Sequence, residues 1–365
     1  MRKVVILLIT CESYLFCGCS NDSVPEYARQ QTEVALAAHS SSFVETPAST
    51  RAVSWPSGYY DYDDVEVNGS YLLQGDMMTS KVGAFFTRSA TGSGLESASN
   101  YAVFDYRENE HRWRSSLTLA GGRYYLYGFL PSDLMQDQSI ISSDYSQGAT
   151  LTLRGMSTLS AADPCIVVGA KEGTGSETVT GLTTGQFAVS INDDGPNYLF
   201  LLFDHLFAAI RISFKVDADY AELRTIKLRQ LAVSSTGTAR TDALVQLTAT
   251  NGTSPIASVT YSNDSGSDNS VTIFNGEEPL TTSPSLFRVC FVPSAISQLV
   301  LHTTYDVYDK KGNLIRENRT ALNTIASDTF EGLSRGRMLS VNLTVQPTYQ
   351  YVLSDDDLDN PKIID

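Results

Sequence analysis

The sequence predicts an all-β chain built from β-sandwich modules. Three observations carry that prediction. Segments rich in Tyr, Thr, Val and Phe alternate apolar and polar residues with the two-residue period of half-buried strands. Gly, Pro, Asn, Asp and Ser interrupt them at short intervals, where turns are needed. No long stretch carries the spacing of an amphipathic helix, so sheets must pack on sheets.

The N-terminus stands apart from this pattern. Arg2 and Lys3 precede an apolar run, Val4 to Ile9, which leads to Phe16-Cys17-Gly18-Cys19. A basic start, an apolar stretch and a small residue before a cysteine form an export signal of the lipoprotein kind. Gly18 fits a peptidase pocket, which makes Cys19 the lipid-bearing first mature residue. Cys17 fits less well because bulky Phe16 precedes it, and Glu12 interrupts the apolar stretch. The run is too short to span a bilayer, which takes about 20 apolar residues. The expected location is therefore outside the cytoplasm, tethered to a membrane.

Residues 19–51 read as a tether or pro-segment rich in Ser, Thr, Ala and Gln. Within them, Glu33 to Ala38 suits a short strand or a helical turn. The segment ends in Thr50-Arg51-Ala52, an arginine among small polar residues that a trypsin-like protease can reach.

Strands are predicted at Val82 to Thr87, Trp113 to Leu119 and Tyr124 to Phe129. Gly121-Gly122 between the last two predicts a tight hairpin turn. Leu117 and Leu119 share one face of their strand; Tyr125, Tyr127 and Phe129 share one face of theirs. The turn cluster Asn192 to Asn197 is the expected boundary between modules 52–196 and 197–365. Length alone, at about 150 residues per domain, also suggests two.

Beyond that turn come Tyr198 to Phe203 and Ala208 to Val216. In the second, Ile210, Ile212, Phe214 and Val216 share one face, and Arg211, Ser213 and Lys215 the other. Asp219 to Arg224 allows one or two helical turns. Thr225 to Val233 changes face near Gln230, which predicts a bulge. Further strands are predicted at Phe287 to Val292, Leu299 to Tyr308, Leu314 to Asn318 and Met338 to Val345. Lys310 to Asn313 is the hairpin turn between two of them.

Several function classes find no support. A net charge of −15 repels phosphate backbones, so no nucleic-acid partner is expected. Charge also disfavours docking on an anionic membrane. Three of the five cysteines belong to the export segment. Cys165 and Cys290 read as small buried hydrophobes rather than a disulfide. The four histidines show no zinc-hydrolase spacing, and no esterase elbow or phosphate-binding glycine loop is present. No cofactor, metal or catalytic residue is expected. His205, beside Leu206 and Phe207, reads as a hydrogen-bonded strand-entry residue. Asp61 to Asp64, among Tyr59, Tyr60 and Tyr62, reads as a solvated loop before a sugar or calcium site. Asp355, Asp357 and Asp359 match half of a calcium-loop ligand set, but Asn360 replaces the turn glycine. Asn68, Asn251, Asn318 and Asn342 fit a eukaryotic glycosylation pattern that means little in a bacterial lipoprotein.

A set of segments stands in a telling order. They are the lipobox with Cys19, Thr50-Arg51-Ala52, and Tyr124-Tyr-Leu-Tyr-Gly-Phe-Leu-Pro131. Then come Asp204 to Val216, Leu223 to Leu228 and Gly336 to Val345. Together they resemble the fimbrillin family of Bacteroidales surface lipoproteins, the type V pilins. Met338 and Leu339 depart from the pattern, where an aromatic is expected. The resemblance implies two tandem β-sandwich domains of Greek-key, transthyretin-like type, a lipid anchor in the outer membrane, and surface exposure. It implies a fimbrial subunit or adhesin without catalysis, partnered by other fimbrial subunits and by a host or bacterial surface ligand. It also implies proteolysis after Arg51, with Ala52 as the new terminus. That cut removes Glu33 to Ala38, and a neighbouring subunit's extended end fills the groove by strand addition. The candidate donor strand is Tyr349, Tyr351 and Leu353 on one face, within the tail 349–365. The same stretch equally suits the last strand of the chain's own sheet, which would favour a tip, anchor or accessory subunit. The alternative reading is a surface glycan-binding lipoprotein of a polysaccharide-uptake system. It needs an aromatic platform, from Trp55, Tyr59 and Tyr60 or from Trp113, though Trp113 reads as core. A two-carboxylate glycoside hydrolase is a third class, with no pair singled out.

Overall fold

Strands form wherever the two-residue period runs, and the computed structural model is all-β in several sheets. It describes residues 31–41, 44–45, 59–61, 80–88, 100–107, 109–110, 112–173, 182–249, 257–263, 268–326, 328, 332–346, 350–352 and 362–364. In chain order the first strands are β1 (Gln31–Ser41), β2 (Val44–Glu45), β3 (Tyr59–Asp61) and β4 (Val82–Arg88). Next come β5 (Asn100–Arg107), β6 (Arg112–Ala120), β7 (Gly122–Leu130), β8 (Asp137–Ile141) and β9 (Gly148–Ser157). β10 (Leu159–Ser160), β11 (Cys165–Gly173), β12 (Ala188–Ile191), β13 (Asn197–His205) and β14 (Ala208–Val216) follow. After helix α1 (Ala218–Leu223) stand β15 (Thr225–Gly237), β16 (Arg240–Thr248), β17 (Ala257–Asn263) and β18 (Asp268–Leu280). The last are β19 (Ser285–Phe291), β20 (Ile296–Tyr308), β21 (Leu314–Ala326), β22 (Arg337–Val345), β23 (Gln350–Val352) and β24 (Lys362–Ile364).

The largest sheet runs β11-β13-β1-β6-β5-β4-β7. β7 then meets β11 again through Leu130 with Cys165 and Phe129 with Ile166, so the circuit closes on itself. β12 adds to β7, and β3 to the end of β1. Closure satisfies the backbone groups that an open sheet would leave at its edges. Inside lies one core, with Val34, Leu36, Phe86, Phe104, Trp113, Leu126, Leu201 and Phe203. The expected alternation on β7 holds. Tyr124, Leu126 and Leu130 enter this inner core, while Tyr125, Tyr127 and Phe129 enter a second core outside it.

The second core is continuous through the remaining sheets. One has the order β10-β19-β14-β22-β2, another β18-β15-β20-β21 and a third β17-β16-β9-β8. Ile210, Ile212 and Phe214 of β14, Leu228 and Leu231 of β15 and Val245 of β16 all join it. Fully burying each such side chain contributes about 1.5–3 kcal/mol. The bulge expected near Gln230 is present, because the register of β15 shifts between Leu228 and Gln230 against both neighbours. The helical turn is α1, capped by the Asp217 side chain, which accepts from the Asp219 and Tyr220 N–H groups. The Lys310 to Asn313 hairpin joins β20 and β21, and β21 runs on past Asn318 to Ala326.

One expectation fails. β6 and β7 are not a hairpin, since β5 and β4 stand between them in the sheet. Gly121 serves another purpose: its N–H donates to Asp193 Oδ1 at 2.6 Å. A Cβ at Gly121 would meet that carboxylate at 2.4 Å. β13, which follows the 192–197 turn, completes the closed circuit between β11 and β1, and the next change of sheet comes at Leu206–Phe207. β8 and β9, from the first half, share a sheet with β16 and β17 from the second. Turn residues report a local backbone bend, whereas sheet membership depends on which distant face needs covering.

Candidate functional site

Two features of the fold deserve a chemical reading: the seat of β1 and a buried polar cluster where the closed sheet hands over to the next.

β1 is enclosed on both sides. It runs parallel to β13, from Val34 opposite Asn197 to Ser40 opposite Phe203. It runs antiparallel to β6, from Gln31 opposite Ala120 to Leu36 opposite Trp113. Val34, Ala35 and Leu36 are fully buried. Val34 and Leu36 are one strand period apart and both reach the inner core. Polar clasps hold the start of the strand. Thr32 Oγ1 donates to Asn192 O at 2.9 Å and accepts from Asn197 Nδ2 at 2.7 Å. The 192–197 turn, expected to divide two modules, is thus the clasp of β1. The chain then crosses to the five-stranded sheet, where β2 lies parallel to the start of β22. β3 returns to pair with His39 to Ser41.

The second feature centres on Asp163, Cys165, His205 and Arg288, each at most 4% exposed. Cys165 heads β11 and faces His205, the last residue of β13, in the antiparallel register. His205 Nδ1 lies 2.9 Å from Asp163 Oδ2 and 3.8 Å from Cys165 Sγ. Burial opposes a charge on His205, but the Asp163 carboxylate more than offsets this and raises its pKa. Arg288 Nη1 stands 3.8 Å from Asp163 Oδ2. Just outside, Arg335 donates to Asp204 Oδ2 at 2.6 Å, to His205 O at 2.9 Å and to Ala257 O at 3.0 Å. The Tyr261 hydroxyl donates to Leu206 O, and burial raises its pKa.

Cysteine, histidine and aspartate together suggest a nucleophilic triad, but the geometry does not make one. A triad needs the nucleophile and the orienting acid on opposite ring nitrogens of the histidine. Here both face Nδ1. Burial of all three also bars a substrate.

The residues singled out from sequence fall unevenly. Cys19, Arg51, Ala52, Tyr349, Leu353 and Trp55 lie outside the described residues, as do Asp355 to Asn360. Tyr351 is in β23, which pairs with β24 as a small sheet of its own. Among the described residues that stretch does not extend any of the four larger sheets. Glu33 to Ala38 forms part of β1. Trp113 is core, with Nε1 donating to Ser80 O at 2.7 Å, so it offers no glycan platform. Cys165 and Cys290 are both buried and not joined as a disulfide. Sequence reading found His205 but missed Asp163, Arg288 and Arg335. Their only local signal was a charge inside or beside an apolar run, which is common on solvated faces too.

No family model and no curated protein matches this chain. Solved structures do. A fimbrial protein of Bacteroides vulgatus matches at 11% identity and TM-score 0.32, covering 73% of this chain and 89% of that one. The fimbrial anchor protein Mfa2 of Porphyromonas gingivalis matches at 11% identity and TM-score 0.25, covering 92% and 95%. A Bacteroides ovatus protein described as a cell adhesion protein matches at 13% identity and TM-score 0.29, covering 87% and 93%. The chain is thus similar, over most of its length and at low identity, to solved fimbrial and adhesion proteins of Bacteroidales.

Proposed function

We propose that this protein is a surface-exposed fimbrial subunit or adhesin, lipid-anchored through Cys19 in the outer membrane and assembled by strand addition after proteolysis at Arg51. The observation that carries the reading is the placement of β1. A strand from the segment upstream of Arg51 fills the middle of a closed sheet and supplies its buried side chains Val34 and Leu36. Arg51 lies between β2 and β3 in the chain. A cut there leaves β1 and β2 held by hydrogen bonds and packing alone. Loss of β1 would expose the facing edges of β13 and β6 together with a hydrophobic slot, which is the acceptor that strand addition requires. The tail around Tyr351 pairs only with β24 among the described residues, so it suits the donor role.

Treating the purified precursor with an arginine-specific protease tests this directly. The expected result is a single clip, with Ala52 as the new N-terminus, followed by polymer ladders that shorten when Tyr349, Tyr351 and Leu353 are deleted. Clipping that yields only monomers rejects the stalk-subunit form of the proposal and leaves a tip or anchor subunit.

A further inference from the structure

We propose that Asp163, Cys165 and His205 form a binding site for one divalent transition metal ion, zinc foremost. The three donor atoms converge. Asp163 Oδ2 and Cys165 Sγ both face the same imidazole nitrogen, at 2.9 and 3.8 Å, and all three ligand atoms lie within 4.8 Å of one another. Donors that each stand about 2.0–2.3 Å from one small cation are separated by about 3–4 Å, which the 2.9 and 3.8 Å distances match. The arrangement that disqualifies a triad is the one a metal site needs.

A second observation points the same way. Asp163 is 1% exposed; its Oδ2 faces His205 Nδ1 at 2.9 Å, and its Oδ1 has no hydrogen-bond partner. A buried carboxylate oxygen without a hydrogen bond is unfavourable, and coordination of the carboxylate to a cation is one way to offset that cost. The scaffold is rigid as well. Cys165 and His205 are cross-strand partners, and Leu206 N–H donates to Pro164 O at 2.7 Å between them. Ligands on paired strands hold their geometry better than ligands on loops.

Arg288, 3.8 Å from Asp163, does not forbid the ion. Coordination requires a thiolate and a neutral imidazole, so protons held by these ligands leave as the cation enters, which offsets the charge facing the guanidinium. A sulfur, nitrogen and oxygen donor set favours zinc, cobalt or copper over magnesium and calcium.

The donors are buried, so the ion must be loaded during folding. The test is to refold the full-length chain from denaturant with equimolar Co²⁺ or Zn²⁺, desalt it, and measure bound metal by elemental analysis. The expected result is about one ion per chain, and for cobalt a thiolate-to-metal absorption band in the near ultraviolet. Cys165→Ser should abolish that band and, like Asp163→Asn, lower metal content about tenfold or more. His302→Gln, on the exposed side of β20, should change neither. Wild-type protein that refolds to its β-sheet spectrum without a cobalt–thiolate band overturns the proposal, whatever the variants do. Full metal content in a folded Cys165→Ser or Asp163→Asn protein overturns it too.

Discussion

β1 and β14 occupy the same kind of seat with different fittings. Each lies inside a sheet, parallel to one neighbour and antiparallel to the other: β13 and β6 for β1, β22 and β19 for β14. Their hydrogen-bonding environments are therefore alike. Their side chains are not. β14 buries Ile210, Ile212, Phe214 and Val216 as well as two alanines. β1 buries Val34 and Leu36 beside Ala35 and Thr32. β14 is also bolted in place. Arg335 ties Asp204 and the His205 carbonyl at its entry, and the Gly336 N–H donates to Phe207 O at 2.8 Å. The difference teaches that a backbone ladder can be generic while the side chains it carries differ. The proposed exchange therefore falls to β1 rather than β14, because β1 buries fewer large side chains.

Truncation is the strongest way to break that comparison. Ile212→Ala should destabilise the intact precursor by about 2–5 kcal/mol, and the cleaved, assembled form by as much. Leu36→Ala should cost about the same in the precursor, since Leu36 is equally buried, but nothing once β1 has left. Thermal unfolding before and after the Arg51 clip reads both. Equal losses in the assembled form would show that β1 stays. A smaller effect is expected from Arg335→Met, which strips partners from the Asp204 carboxylate and from two carbonyls. Breaking a buried pair costs about 3–5 kcal/mol, and the 19% and 18% exposure of these side chains reduces that to about 2–3 kcal/mol. Hydrogen exchange should speed up at Leu206 and Gly336 and stay unchanged along β1. If β1 amides accelerate equally, the two seats are coupled rather than independent.

The smallest effect calibrates the others at a turn touching neither strand. The Asn313 side chain, then its N–H and that of Lys311, bind the Asp309 carboxylate and hold its pKa below the ordinary value. A depressed carboxylate stabilises above the unfolded value, and this is lost as pH falls through the folded one. Protection of the Lys311 and Asn313 amides, relative to their intrinsic exchange, should fall in the wild type as pH drops below the ordinary carboxylate value of about 3.9. Asp309→Ala should lack this protection at every pH, with no step, and should not alter β1 or β14.

Local structure was legible because it depends on neighbours in the chain. The two-residue alternation of Ile210, Ile212, Phe214 and Val216 marked the buried face of β14, and the change of face near Gln230 marked the bulge of β15. Lys310 to Asn313 showed a turn because Gly312 and Asn313 bend the backbone where they stand. Glu33 to Ala38 suited either a short strand or a helical turn in a polar tether. That it fills a closed sheet against β13, over 150 residues away in the chain, follows from no local signal. The same limit misread Gly121-Gly122 as a hairpin and hid the meeting of Asp163, His205 and Arg288. By itself the sequence determined which residues turn and which face inward, since steric and hydration preferences act residue by residue. Only the tertiary structure decided which strands pair and which buried polar groups meet, because those choices depend on covering every apolar face and pairing every backbone group at once.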